Sequence, residues 1–118
     1  MTAWEPVPGQ LMTRWAAEVT PENAWREYPR PQLVRRQWLN LNGLWDYAIA
    51  PVEMEMVLAY NNQILVPFPI ESALSGVKRA LLPEERLWYR RRFTLPEEWH
   101  GQRVLLHIGA SDWQTSAW

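Results

Sequence analysis

The sequence predicts an antiparallel all-β sandwich. Three observations predict it: apolar residues recurring at every second position in several short segments, prolines and glycine-containing turns between those segments, and a single short helix signal. The most regular stretch runs from Leu87 to Leu95. There Leu87, Tyr89, Phe93 and Leu95 fall on one side and Trp88, Arg90, Arg92 and Thr94 on the other. Only Arg91 interrupts the apolar side. After a break at Pro96 and Gly101, a second strand beginning at Arg103 places Val104, Leu106 and Ile108 on one face, which predicts a hairpin. Gly109 to Asp112 punctuates again, and Trp113 to Trp118 starts a third extended run.

Taken from the beginning, residues 1–19 carry Pro6, Pro8 and Gly9 with no sustained period and read as an irregular lead-in to a domain spanning 20–118. Thr20-Pro21-Glu22 is a helix-start signal: a hydroxyl for an orphan amide, a proline suited to the first helical position, and an acid for the positive end of the dipole. Pro29 and Pro31 stop such a helix early, so it is expected over Pro21 to Glu27. The Asn42-Gly43 turn dipeptide leads into Leu44 to Ile49, a core strand with Trp45, Tyr47 and Ile49 on one face and Pro51 closing it. Glu53 to Asn62 fits either a weak strand, through Met54, Met56, Leu58 and Tyr60, or a solvent loop. Ile64 to Val66 is apolar, but Pro67 and Pro69 withhold amide donors, which predicts a short strand turning into an ordered connector without a ladder. Ser72 to Pro83 reads as a loop.

Composition narrows the partners. At 118 residues the chain fits one domain, which would bury roughly two thirds of its unfolded surface. Nine tryptophans suit both β-rich cores and surfaces that stack on sugars or bases. Twelve basic and 13 acidic side chains mix along the chain for a net charge of −1, so no field draws in a polyanion and nucleic acid is not expected. No apolar run approaches the ~20 residues of a membrane span, and no membrane partner is expected. The absence of cysteine removes disulfides and thiolate metal sites and leaves the redox compartment open. Met1-Thr-Ala-Trp shows no secretory pattern, so the expected location is cytoplasmic if Met1 is the true start.

Four groups of residues occur in an order that carries a resemblance: Gly43-Leu44-Trp45-Asp46; Val66-Pro67-Phe68-Pro69-Ile70-Glu71; Trp88-Tyr89-Arg90-Arg91 with Phe93, Pro96 and Trp99; and Gly101-Gln102-Arg103-Val104-Leu105-Leu106. Over Trp25 to Trp118 the chain resembles the amino-terminal sugar-binding domain of glycoside hydrolase family 2, the β-galactosidases, β-glucuronidases and β-mannosidases. The resemblance implies a jelly-roll, galactose-binding-like β-sandwich, placed before an immunoglobulin-like domain and a catalytic (β/α)8 barrel. The family's two catalytic glutamates lie in that barrel, the acid/base following an asparagine, and no Asn-Glu pair occurs here. Its sandwich also continues beyond the position of Trp118 with a Val-Asn-Gly hairpin. The expectation is therefore an incomplete, non-catalytic sugar-binding or buttressing domain of an enzyme that hydrolyses β-linked sugars, with no cofactor. A free-standing carbohydrate-binding module and an inactive gene fragment are the alternatives.

Retaining glycoside hydrolysis needs two carboxyl groups ~5 Å apart on rigid elements. The adjacent pairs Glu84-Glu85 and Glu97-Glu98 read instead as solvated turns, and Glu71 as a cap for the Ser72 and Ala73 amides, so no catalytic residue is assigned. In relatives of the family a loop of the sandwich reaches the barrel's sugar pocket, which makes Glu85 and Arg86 the candidate substrate-binding residues. Arg90-Arg91-Arg92 among aromatics reads as ion pairs on a sheet, with Arg91 expected to take Asp46 or Asp112. His100 and His107 are poor material for zinc, and Ser72, Ser75, His107 and Asp112 lack the elbow that a nucleophilic triad needs. Trp45, Trp88 and Trp99 are expected in the core, while Trp113 and Trp118 are the tryptophans placed to meet a sugar.

Overall fold

The computed structural model describes residues 4–118, so the first three residues of the predicted lead-in, and the Met1 start, lie outside the described residues. A three-stranded antiparallel sheet forms the centre, in the order β2-β1-β3, with β1 spanning Gly43–Pro51, β2 Asn62–Val66 and β3 Glu85–Arg90. The rest of the described chain is loop and four short 3-10 turns, so the architecture is that of a small all-β fold.

The central strand is the one that the alternation of Trp45, Tyr47 and Ile49 predicts. It pairs Leu44 with Leu65 and Trp45 with Ile64 on one side, and Tyr47 with Tyr89 and Ala48 with Trp88 on the other. Residues at alternate positions share a face, so one face gathers Ala50, Leu65 and Trp88 and the other gathers Ile64, Trp45 and Tyr89. Ile64 and Leu65 are fully buried, and burial of this kind stabilises by about 1.5–3 kcal/mol per side chain. Trp45 and Tyr89 meet edge to face at 6.1 Å, a diagonal cross-strand contact. The apolar side read for the Leu87 segment is thus not the only packed one: Trp88, on the opposite side, is the most buried residue of β3, while Tyr89 is partly exposed.

Gly43 starts β1 for a steric reason. With φ at +125°, a side chain there would bring Cβ to 3.1 Å from the Pro21 carbonyl and 3.2 Å from Arg26 Nη2. The same approach explains why the expected helix over Pro21 to Glu27 does not form. The Thr20 carbonyl accepts from the Asn23 and Ala24 amides at 3.2 and 3.1 Å, making one turn, and Trp25 then enters the left-handed region at φ +49°. A left-handed residue ends a helix, so a single turn is all that the Thr20-Pro21 signal produces. The 3-10 turn at Arg14–Glu18 lies in the stretch read as irregular.

The hairpin predicted after Leu87 is also corrected. β3 ends at Arg90, and from Arg103 to Ile108 the chain makes no ladder; Val104, Leu106 and Ile108 are all exposed, as are Phe93 and Leu95. Period-two apolarity makes a strand only where a neighbouring edge supplies hydrogen bonds, and the ladder of β3 with β1 stops at the Asp46–Arg90 pair. Trp113 to Trp118 is likewise outside any strand. Of the two readings of Glu53 to Asn62, the loop holds until β2 begins at Asn62. The radius of gyration, 15.8 Å, exceeds the ~13.5 Å of a compact chain of this length.

Candidate functional site

The candidate residues Glu85 and Arg86 open β3, opposite Pro51 and Ala50 of β1. They sit in the ladder and not in the loop before it. The Glu85 amide donates to the Leu82 carbonyl at 3.0 Å, while Glu85 Oε2 accepts from the Leu82 amide at 3.0 Å and Oε1 takes the Arg79 guanidinium. The Leu82 amide first, and Arg79 after it, hold the carboxyl below the usual glutamate range. An ionised carboxylate with both oxygens engaged can fasten a loop or accept from a hydroxyl, but it is no proton donor near neutrality.

Arg86 is the freer of the two. Its Nη1 reaches the Met54 carbonyl at 3.4 Å, and its guanidinium lies 5.7 Å from the Trp88 ring centroid. The Glu84 carbonyl accepts from the Val52 amide at 2.9 Å, so the loop 51–54 and the approach to β3 are fastened together beside both candidates. This end of the sheet therefore presents an exposed guanidinium next to a fixed carboxylate.

The remaining sequence candidates separate. Asp46 pairs with Arg90, not Arg91: Arg90 Nη2 and Nε lie 3.0 and 3.2 Å from Asp46 Oδ2, because the two residues are direct partners across β1 and β3. Arg91, one position on, turns to the Leu44 carbonyl. Glu71 caps nothing; Ser72 is the cap, its Oγ accepting from the Ser75 amide at 3.2 Å. Ser75 is fully buried and bonded to backbone, and His107 lies 5.5 Å from the Trp38 ring, so no triad assembles. Among the described residues no three His, Asp or Glu side chains are placed to hold a metal, and no helix is long and apolar enough to cross a membrane. Trp88 is core, Trp45 and Trp99 are half-buried, and Trp113 and Trp118 are 86 and 91% exposed.

A second locus escaped the sequence reading. Arg26 donates to the carbonyls of Glu22, Asn40 and Pro21, at 2.9, 3.3 and 3.3 Å, and the side-chain amides of Asn40 and Asn42 both donate to the Trp25 carbonyl at 2.9 Å. These bonds hold Trp25 in its left-handed conformation with the indole 67% exposed. The Asn-x-Asn spacing was read only as the approach to a turn, although two amides two residues apart can converge on one acceptor.

No family model matches the chain. In sequence it is similar to a β-glucuronidase of Paenibacillus borealis, 23% identical over 97 residues, a match that takes in 77% of this chain and 16% of that protein. The chain thus corresponds to about a sixth of the length of the curated relative it matches. The relationship is distant.

Proposed function

We propose that this chain is a non-catalytic sugar-binding or buttressing β-domain of a glycoside hydrolase, residues 20–118 contributing part of a jelly-roll sandwich and 1–19 its lead-in. The observation that carries the reading is the β-glucuronidase similarity, which spans most of this chain and a sixth of that enzyme. The fold supports it, since three of the four segments that carry the family resemblance supply β1, β3 and the end of β2. The exposed apolar side chains from Phe93 to Ile108 suit a surface covered by neighbouring domains, here an immunoglobulin-like domain and a (β/α)8 barrel that hydrolyses a β-linked sugar. Glu85 and Arg86 would then face the barrel's sugar entrance, Arg86 donating to a substrate hydroxyl and Glu85 fixing the loop beside it.

The test is a chimera in which this chain replaces the matching stretch of the Paenibacillus borealis enzyme. Retained hydrolysis of 4-nitrophenyl β-D-glucuronide is expected, and Arg86→Ala should raise KM about threefold or more with kcat little changed, the signature of lost ground-state binding. A folded but inactive chimera would overturn the buttressing role, and an unchanged KM the placement of Arg86. The exposure of Trp113 and Trp118 favours a second reading, a free-standing carbohydrate-binding module, in which the isolated chain binds sugars through those two rings.

A further inference from the structure

Between the 3-10 turn Arg14–Glu18 and the turn that ends at Trp25 lies an open cleft of about 350 Å³, lined by Trp15, Glu18, Asn23, Trp25, Glu27 and Phe68. We propose that this cleft is a binding site for a neutral hexopyranose, stacked on an indole and hydrogen-bonded to the carboxylates. The proposal rests on the sugar-binding part of the function above and not on the buttressing part.

The volume falls in the range of small-ligand sites, roughly 300–1,000 Å³. Its aromatic walls are presented outward: Trp15 is 58% exposed and Trp25 67%. Both are positioned. Arg14 lies 4.5 Å from the Trp15 ring centroid, and Trp25 is held at φ +49° by two asparagine amides on its carbonyl. A left-handed backbone at a tryptophan costs about 1–3 kcal/mol and persists only where its surroundings enforce it. Two asparagines and the three bonds of Arg26 do so, and the result is an indole aimed away from the core.

The polar groups select the ligand. Asn23 is committed to the turn, donating to the Glu18 carbonyl at 2.7 Å and accepting from the Thr20 amide at 2.7 Å, which ties the two walls together. The ion pairs among the described residues, Arg79–Glu85 and Arg90–Asp46, leave the carboxylates of Glu18 and Glu27 without a cationic partner. Carboxylates are acceptors only, so they match a ring of hydroxyl donors, and an apolar pyranose face matches an indole. The same two charges repel a uronate carboxylate. None of Trp15, Trp25 and Phe68 packs on another, so the rings form separate platforms and not a closed cage for a quaternary ammonium.

The nine indole N–H signals of the 118-residue chain give the readout, with Trp15 and Trp25 assigned by their loss in Trp15→Phe and Trp25→Phe. Methyl β-D-glucopyranoside and methyl β-D-galactopyranoside should shift those two signals saturably, with Kd on the order of millimolar. Methyl β-D-glucuronide should bind about fivefold more weakly, and the combined Glu18→Gln and Glu27→Gln variant should close that gap. Trp25→Ala should weaken the neutral sugars at least fivefold; should it fail to fold, Trp15→Ala and the glutamine variant carry the test. No shift at about 100 mM glycoside, tighter binding of glucuronide or tetramethylammonium, or shifts confined to Trp113 and Trp118 would each overturn the assignment. Because hydrolysis is not measured, failure here leaves the chimera test of the buttressing role untouched.

Discussion

Arg90 of β3 reaches across the ladder to Asp46 of β1, both its Nη2 and its Nε within 3.2 Å of one carboxylate oxygen, and its guanidinium also lies 4.5 Å from the ring centroid of Tyr60. The pair therefore fastens two strands and a loop at once. Both side chains are partly solvated, 42 and 34% exposed, so screening keeps the gain small. A double-mutant cycle with Asp46→Asn and Arg90→Gln should give a coupling of about 0.2–1 kcal/mol, falling as salt is raised. The same cycle with Arg91→Gln should give none, because Arg91 donates to the Leu44 carbonyl.

That contrast shows which parts of the molecule the chain's own pattern discloses. Strand β1 was legible because Asn-Gly and Pro51 bracket an alternating run, and β2 because Pro67 caps an apolar triplet. The Arg103 strand was not, because alternation states only that a face could be buried, while a ladder also needs an adjacent edge. The helix at Pro21 failed for a related reason. Its start signal is present and functions for one turn, but Trp25 is pulled into the left-handed region by Asn40 and Asn42, fifteen and seventeen residues away. The Arg90 and Arg91 roles follow from register, which no local spacing encodes. Glu85 was legible as a residue near β3 and not as the anchor of Arg79.

Acid should loosen the Leu82–Glu85 turn. Bonds from the Leu82 amide and Arg79 depress the folded-state ionisation of Glu85, so its stabilisation is fully present above the ordinary glutamate value, ~4.3, and disappears as pH falls through the lower folded value. Glu85→Gln removes the charge at every pH. The difference in unfolding midpoint between wild type and variant should therefore be constant from neutrality down to about pH 5 and shrink below that. A difference that stays constant to pH 2 would mean that Glu85 titrates as it does in the unfolded chain.

Gly76 is the position least able to accept a side chain. It adopts φ +82°, and a Cβ would lie 2.8 Å from Trp4 Cδ1 and 2.9 Å from Trp4 Nε1. The steric clash adds to the cost of a left-handed alanine, so Gly76→Ala should destabilise by about 2–4 kcal/mol. Gly101→Ala is the control: its φ is +74°, but nothing lies within 4 Å, so only the backbone term, about 1 kcal/mol, remains. Equal losses in denaturant unfolding would show that Trp4 does not pack on this turn.

Ser75 organises the connector after β2, and its hydroxyl has no solvent to fall back on. Fully buried, it lies 2.7 Å from the Ser72 carbonyl and 3.1 Å from the Ile70 carbonyl, to which it donates, and it accepts from the amides of Val77 and Lys78 at 3.0 and 3.3 Å. Alanine fits the space but leaves two amides without their acceptor. The expected loss is about 1–3 kcal/mol, and the connector carries Gly76 and the wall against which Val7 is bonded, its amide to the Ala73 carbonyl at 3.0 Å. Ser75→Ala should therefore raise amide exchange at Val77, Lys78 and Val7 together, where Ser72→Ala, which removes only the bond to the Ser75 amide, should cost about 0.5–1 kcal/mol and leave Val7 protected. Exchange raised at Val77 and Lys78 alone would mean that the lead-in is held by Trp4 against Gly76 and not by the serine that shapes the turn beneath it.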